Sequence, residues 1–392
     1  MTSNRTPNGR KVIVVGAGIG GLALGAALRA VGIDAEIYER APELRAGGSG
    51  LGVVSNAVTA LESLGIDIGL EQRGQAMHSF AIKDEKGGHI AWLPLPEVSV
   101  ELGLPPTVLI SRTALQQGLL TAVGDVPIHL GRAAVGFENH ADGASVLFAD
   151  GSRATGDVVI GADGINSALR AQITGPEPMQ EPGYVCWLAI APFQHPNLPT
   201  GAAAHYWGSG QRFGLLDIGH GEFYWWATKN MPVEVANDWP GTKDDIAALY
   251  TGWADEVQAS IRVTPEADII AVPARDRAFL ENWGQGRVTL LGDAAHPMLT
   301  SLGQGAAMAI EDAVVLAATL ARISDPTAAL RAYEDQRRDR TRAVVEASRA
   351  LSEREQLEDP ERQIRDEELR RVPIEVLKEQ QRDILTFPVV QR

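Results

Sequence analysis

The sequence predicts an α/β chain: a doubly wound sheet domain interrupted by an antiparallel-sheet domain and followed by a C-terminal helical tail. Three observations predict it. A glycine loop at 16–21 stands between a buried apolar strand and an Ala/Leu-rich helix. Two later apolar strands each run into a glycine and an aspartate, at 161–163 and 292–293. Between them, Tyr184 to Trp226 is dense in aromatic and β-branched residues with glycine breaks, the composition of an antiparallel sheet.

Size and composition bound the rest. The chain has 392 residues. One hydrophobic core serves roughly 250–300, so two lobes are expected. Hydrophobic residues at 45% and charged residues at 22% are ordinary for a globular protein. A net charge of −15 argues against a nucleic-acid partner, because duplex binding needs Lys and Arg to neutralise phosphates. Cys186 is the only cysteine, which excludes an intrachain disulfide, a CxxC redox pair and a Cys-based zinc site. The eight histidines show no HxxxH or HxH spacing, so no metal is expected. Met1 to Arg10 lacks a signal peptide's apolar stretch. No apolar run reaches the roughly 18 residues of a membrane span. A cytoplasmic location is expected.

Lys11 to Val15 is a β-branched run that reads as a strand buried on both faces. Leu22 to Val31 is helical with Gly32 as its stop, and Asp34 to Tyr38 is a second strand. Strand, turn, helix and strand within about thirty residues make one βαβ unit. Further helices are expected at Ala57–Leu64, Arg112–Val123, Lys243–Val257 and Gly305–Arg322. Strands are expected within Phe80–Leu95, around a Gly87-Gly88 turn, and at Ile128–Leu130, Ala144–Phe148, Asp157–Ile160 and Arg287–Leu291. From about Leu351 the chain is densely charged with a sparse apolar face, so a solvated terminal helix is expected.

The loop Gly16-Ala17-Gly18-Ile19-Gly20-Gly21 has the spacing that cradles a pyrophosphate. Gly16 permits the turn out of the strand, Gly18 lets the backbone approach the phosphates, and Gly21 lets the helix pack closely. Bare N–H groups at the helix start then face the anion. Glu39 closes the second strand, where a carboxylate can take both hydroxyls of an adenosine ribose. This specifies a dinucleotide without separating NAD from FAD. Asp293, in Gly292-Asp293-Ala294-Ala295-His296-Pro297, sits at a strand's carboxyl end and can accept from the hydroxyls of a ribityl chain. Gly303, Gln304, Gly305 and Ala306 open a long helix whose N-terminus stabilises negative charge, as on the pyrimidine side of a reduced flavin. His296 is read as part of the turn, with a structural role.

Gly161-Ala162-Asp163-Gly164-Ile165-Asn166-Ser167, with Arg170, completes a trio of motifs. In this order the chain resembles the group A flavoprotein monooxygenases, the single-component FAD-dependent aromatic hydroxylases, from about Lys11 to about Arg349. The resemblance implies the aromatic-hydroxylase fold. A discontinuous FAD-binding domain would span 1–75, 100–182 and 273–350, a substrate domain 76–99 and 183–272, and a tail 351–392. Glu39 would hold the adenosine ribose, with Arg40 beside it in the cofactor site. Arg112 would lie near the pyrophosphate and ribityl chain, and the backbone near Ala134 would contact adenine. Asp163 would serve FAD and NAD(P)H, and Asp293 the ribityl chain. Leu302 to Ala306 would lie beneath the flavin ring, with Gly50 to Gly52, centrally Gly52, beside it. NADPH or NADH would be the transient reductant. O2 would add at flavin C4a to give a hydroperoxide whose distal OH passes to an aromatic small molecule. A monomer or homodimer is expected. An epoxidase or other FAD oxidoreductase on this fold, and a flavin-binding module without turnover, are the alternatives.

The substrate face falls in the central segment, among Trp187, His205, Tyr206, Trp207, Phe213 and the run Phe223 to Trp226. In a period-two strand Tyr224 and Trp226 face one way, Phe223 and Trp225 the other, so only one pair can face a flavin. Arg212 offers a planar fork for an anionic or carbonyl-bearing substrate. The stretch is similar to the bacterial FAD-dependent urate hydroxylases, with an arginine and a tyrosine where Arg212 and Tyr224 stand here. Both are therefore expected at the catalytic centre. Those enzymes carry Pro-Asp before the flavin loop, where this chain has Thr300-Ser301. The difference points to a more apolar aromatic or heteroaromatic substrate than urate.

Overall fold

The computed structural model describes residues 9–44 and 47–387. The strand Lys11–Val15, the helix Ile19–Ala30 and the strand Asp34–Tyr38 form the expected βαβ unit. The two strands pair in parallel. The first is an unbroken apolar run because both its faces are covered: Val12, Ile13 and Val14 expose no surface. Val158–Gly161 pairs on its other side and Val288–Leu290 pairs beyond that, both in parallel. The six-stranded sheet is completed by Ile128–His129 at one edge and Gly284–Gln285 at the other. The register levels three strand ends, Val15 beside Gly161 and Gly161 beside Leu290. All three glycine-bearing loops therefore leave the sheet side by side at its carboxyl edge, where open α/β sheets bind ligands.

The central segment builds a seven-stranded sheet in the order 270–273, 184–192, 222–230, 211–219, 202–208, 79–84, 89–92. It is antiparallel except where Ala202–Gly208 meets Ser79–Asp84. Alternation sorts the aromatics. Trp187, Tyr206, Phe213, Phe223 and Trp225 are buried in one cluster with residues of the helices Lys243–Leu249 and Asp255–Val263. Tyr224 points to the opposite face, with Leu216 and Ile218, and Leu188, Ile190 and Trp226 lie partly buried beside it. A small sheet of Gly50–Val53, Val108–Ser111 and Gln75–Ala76 meets this second face.

Two expectations are corrected. The helix expected over Lys243–Val257 is two helices, broken where Gly252 takes φ +75. The tail is not a solvated helix. After the 30-residue helix Pro326–Glu355, the helices Glu361–Arg370 and Ile374–Leu385 fold back on the protein. Leu377 packs with Ile82, Ile90 and Trp207, and Leu385 with Val54 and Val98. Val98 belongs to a helix, Leu95–Glu101, inside the Pro-rich stretch. Much of the tail's charge is consumed in pairs: Arg365 with Asp366, and Lys378 and Arg382 with Glu101. No described helix is long and apolar enough to cross a membrane.

Candidate active site

Gly16 turns out of its strand at φ +105, and a Cβ there would lie 2.2 Å from the Ala162 carbonyl oxygen. A Cβ on Gly21 would lie 1.9 Å from the Gly16 carbonyl oxygen, and one on Gly20 2.7 Å from Leu291. The loop is thus clamped against the other two motifs. A Cβ on Gly18 would meet nothing within 4 Å. Glu39 Oε2 accepts from the Ala17 N–H at 2.8 Å and Oε1 from the Ala41 N–H at 2.9 Å. The carboxylate is aimed at the loop and keeps lone pairs for further donors. Arg40 is exposed beside it. The Arg132 N–H donates to the Glu39 carbonyl, which brings the chain leading into Ala134 against this turn.

Asp163 Oδ2 accepts from the Ala168 N–H at 2.9 Å and so caps the helix Ala168–Thr174. Its Oδ1 is buried with no partner among the described residues. Burial pushes the carboxyl above the ordinary range, against hydrogen bonds from Ser167 and the backbone. Asp293 is open to solvent. The protein packed around it nevertheless raises its carboxyl, against the charges of His296 and Arg112. Arg112 opens the helix Arg112–Val123 and is exposed, with its N–H held by the Ser49 carbonyl at 2.8 Å. Its charge acts on both Asp293 and Tyr224, so the three share one space. Gly303 takes φ +65, and a Cβ there would meet nothing within 4 Å. Gly305 and Ala306 begin the helix Gly305–Arg322, with the buried Gln304 as its N-cap residue. Gly50 presses on Tyr224, while Gly52 has Thr107 as its nearest neighbour, 3.4 Å from where a Cβ would be.

These residues fit a flavin dinucleotide. Open backbone at Gly18 and Gly303, acceptors at Glu39 and Asp293, a cation at Arg112 and an orphaned carboxylate oxygen at Asp163 lie around the carboxyl edge of one sheet.

On the sheet face that carries Tyr224, the residues Cys186, Leu188, Ile190, His205 and Trp226 are only partly covered. They border the open space on this face, the candidate substrate cavity. Its walls are neutral. Burial, then the charge of Arg212, pushes the His205 imidazole down to about 3. Burial holds the Cys186 thiol up at about 11 and the Tyr224 hydroxyl well above its ordinary value. His205 stands edge-on to Phe80 and Trp226, with ring centres 4.5 and 4.7 Å away.

Arg212, expected to offer its fork to a substrate, meets a carboxylate of the chain itself. It is 2% exposed, with its guanidinium 5.1 Å from the centre of the Trp226 ring and 5.8 Å from that of Tyr184. Its Nη1 donates to Glu355 and reaches Ser301 Oγ at 3.5 Å. One arm of the fork, Nη1, is thus engaged by a carboxylate from the helix Pro326–Glu355, while Nε is buried with no partner among the described residues.

His296 and Arg170, read from their motifs, support the site together with residues that escaped the sequence reading. His296 Nε2 lies 2.6 Å from Asp312, which also accepts from the Gly292 N–H and from Arg337. Asn56 donates to Gln304 at 3.0 Å and to Glu311 at 2.7 Å. Arg170 donates to the carbonyls of Ala295 and Ala278 at 2.9 and 3.1 Å, tying the second motif to the third. Arg170 carried a signal, by its place in a motif. Asn56, Glu311 and Glu355 carried none, because their partners lie far away in the chain.

The model of the FAD binding domain family matches residues 10–348. The aurachin C monooxygenase/isomerase of Stigmatella aurantiaca is 39% identical over 344 residues, 87% of this chain and 88% of that protein. The FAD-dependent urate hydroxylase of Klebsiella pneumoniae is 35% identical over 337 residues, 86% of this chain and 88% of that protein. The crystal structure of Klebsiella pneumoniae HpxO complexed with FAD and uric acid superposes with a TM-score of 0.88 at 31% identity, covering 98% of both chains. The chain belongs to this FAD binding domain family and is an FAD-dependent monooxygenase.

Proposed function

We propose that the protein hydroxylates an aromatic or heteroaromatic small molecule in the cavity beside Tyr224 and Trp226, using NADPH or NADH and O2. The observation that carries this reading is the cavity itself. It is bordered by the aromatic rings of Tyr224 and Trp226, and Tyr224 shares the electrostatic reach of Arg112 with Asp293. When bound, FAD supplies the redox chemistry, taking reducing equivalents from NAD(P)H and activating oxygen.

The chain's own residues do the rest in this reading. Gly16 to Gly21, Glu39, Arg40 and the backbone at Ala134 hold the adenosine half. Arg112, Asp163 and Asp293 hold the pyrophosphate and ribityl chain. Gly52 and the run Gly303 to Ala306 bracket the ring, whose negative edge the helix start stabilises. Leu188, Ile190 and Trp226 exclude water and orient a flat ring. The Tyr224 hydroxyl, held protonated, donates a hydrogen bond to a substrate heteroatom. An electron-rich ring brings its own nucleophilicity, so no side-chain base is required.

The test is NAD(P)H oxidation by the FAD-loaded protein, screened against phenols, quinolones, purines and polyketides. Consumption stimulated by a ligand, with a product one oxygen atom heavier, is expected. The product's structure separates hydroxylation from epoxidation. A yellow protein that consumes NAD(P)H with none of these ligands would overturn the reading.

A further inference from the structure

We propose that Glu355 sets the charge selectivity of the aromatic cavity: by pairing with Arg212 it makes the cavity favour uncharged ring systems over anionic ones. The inference rests on the cavity being the substrate site.

The Arg212 guanidinium is a cation. It lies over the Trp226 ring, on the same face of the sheet, and its charge acts on His205 and Cys186, which line the cavity. An uncompensated cation there would attract carboxylate or enolate ligands strongly, because little water screens it. Glu355 removes that attraction. Its side chain and that of Arg212 are both 2% exposed and are ion-paired.

The position of Glu355 is itself fixed. Arg365 Nη1 donates to the carbonyls of Arg354 and Glu355 at 2.8 and 3.2 Å, which holds the end of the helix in place. Arg365 does not add a charge of its own, since its Nε and Nη2 donate to Asp366 at 2.9 and 2.6 Å. Two arginines and two carboxylates thus pair at this end of the sheet; burial raises the Glu355 carboxyl, against the charge of Arg212, a hydrogen bond from Ser301 and the charge of Arg365. The remaining walls are Leu188, Ile190, Trp226 and the neutral His205, Cys186 and Tyr224. An anion entering this space loses its hydration and gains no net counter-charge from Arg212, whereas a neutral ring has little hydration to lose. Glu355 is a positioning residue, since it acts through Arg212.

The experiment is calorimetric titration of the FAD-loaded protein with two matched probes, quinoline-4-carboxamide and quinoline-4-carboxylate. The wild type is expected to bind the carboxamide at least tenfold more tightly. Glu355→Gln keeps the size and an acceptor for Arg212 but removes the charge. It is expected to narrow that ratio tenfold or more, through tighter binding of the carboxylate. An unchanged ratio overturns the proposal, and so does equal weakening of both probes, the mark of a merely structural role. Binding of neither probe to the wild type overturns it as well. If Glu355→Gln fails to load FAD, the double variant R212M/E355L replaces the pair by apolar groups. It must keep the preference for the carboxamide, and a gain in carboxylate affinity overturns the proposal. A ratio that shifts as expected, without any NAD(P)H-dependent product, upholds the inference and removes only the hydroxylase reading.

Discussion

One methyl group placed at Gly18 and one at Gly21 should have different fates. At Gly18 it meets no protein atom within 4 Å, and the φ of −72 suits alanine. Gly18→Ala is expected to fold, at a cost below about 1 kcal/mol for the altered helix cap. Its FAD affinity should fall tenfold or more, because the methyl occupies the approach to the pyrophosphate. At Gly21 the methyl lies 1.9 Å from a carbonyl oxygen, so backbone must move. Gly21→Ala should cost about 3 kcal/mol before any cofactor is added. Thermal unfolding of the apo-protein and FAD titration separate the two, and wild-type FAD affinity in Gly18→Ala would refute the assignment. His205 makes a second prediction at this scale. Its folded value near 3 lies below the ordinary 6.5. The unfolded chain therefore takes up the proton first. The stabilising effect is complete above about pH 6.5 and shrinks as pH falls toward 3. Between pH 6.5 and pH 4 the loss is about 3 kcal/mol. His205→Gln should lack that loss, so the stability difference between the two proteins must change with pH in urea unfolding. A constant difference would refute it.

The helix Gly305–Arg322 depends at its start on charges beneath it. Arg337 is 1% exposed and pairs with both Glu311 and Asp312. Burial alone would raise the Asp312 carboxyl, but His296 and Arg337 outweigh it and hold the group at about 2. The stabilisation is then complete above about pH 4 and is lost as pH falls through 2. Arg337→Met removes the buried cation that Glu311 and Asp312 share, leaving them only Arg340 and His296, and should cost about 3–5 kcal/mol at neutral pH. Its acid unfolding midpoint should move to higher pH, and an unmoved midpoint would show that the network does not hold this element. Legibility follows the same division between local and distant causes. The helix Arg112–Val123 and the strand Ala144–Phe148 have the boundaries read from the sequence, because a Ser111 cap and glycine turns mark their ends locally. The three FAD motifs were readable because each is a strand and its own following loop. The strand Ala134–Asn139 was not foreseen, since its order comes from pairing with Ala144–Phe148. Arg212 was read as a substrate ligand and its partner Glu355 was not foreseen, since Glu355 lies far along the chain in a segment whose charge density resembles a solvated surface.

At the scale of the molecule, the tail fastens two halves together. Glu355 and Leu377 hold the aromatic sheet, the first at Arg212 and the second against Trp207 and Ile82. Leu385 and Phe387 continue to the other side, packing on Val54 and into the core of the parallel sheet. Arg340 joins the tail's end to the buried network, donating to the carbonyls of Asp383 and Ile384 while it pairs with Glu311. The tail's many surface charges invite the view that electrostatics holds it, and magnitudes decide against that. Lys378 pairs with Glu101 in a partly exposed contact, and such pairs contribute about 0–1 kcal/mol. Leu377 is buried, and deleting such a side chain costs about 2–5 kcal/mol in lost transfer energy and cavity. Leu377→Ala should therefore destabilise the protein several-fold more than Lys378→Ala in urea unfolding. It should change FAD affinity less than threefold, because Leu377 packs on the sheet and not at the cofactor cleft. A larger loss from Lys378→Ala would mean that charge pairing, not apolar burial, keeps Glu355 beside Arg212.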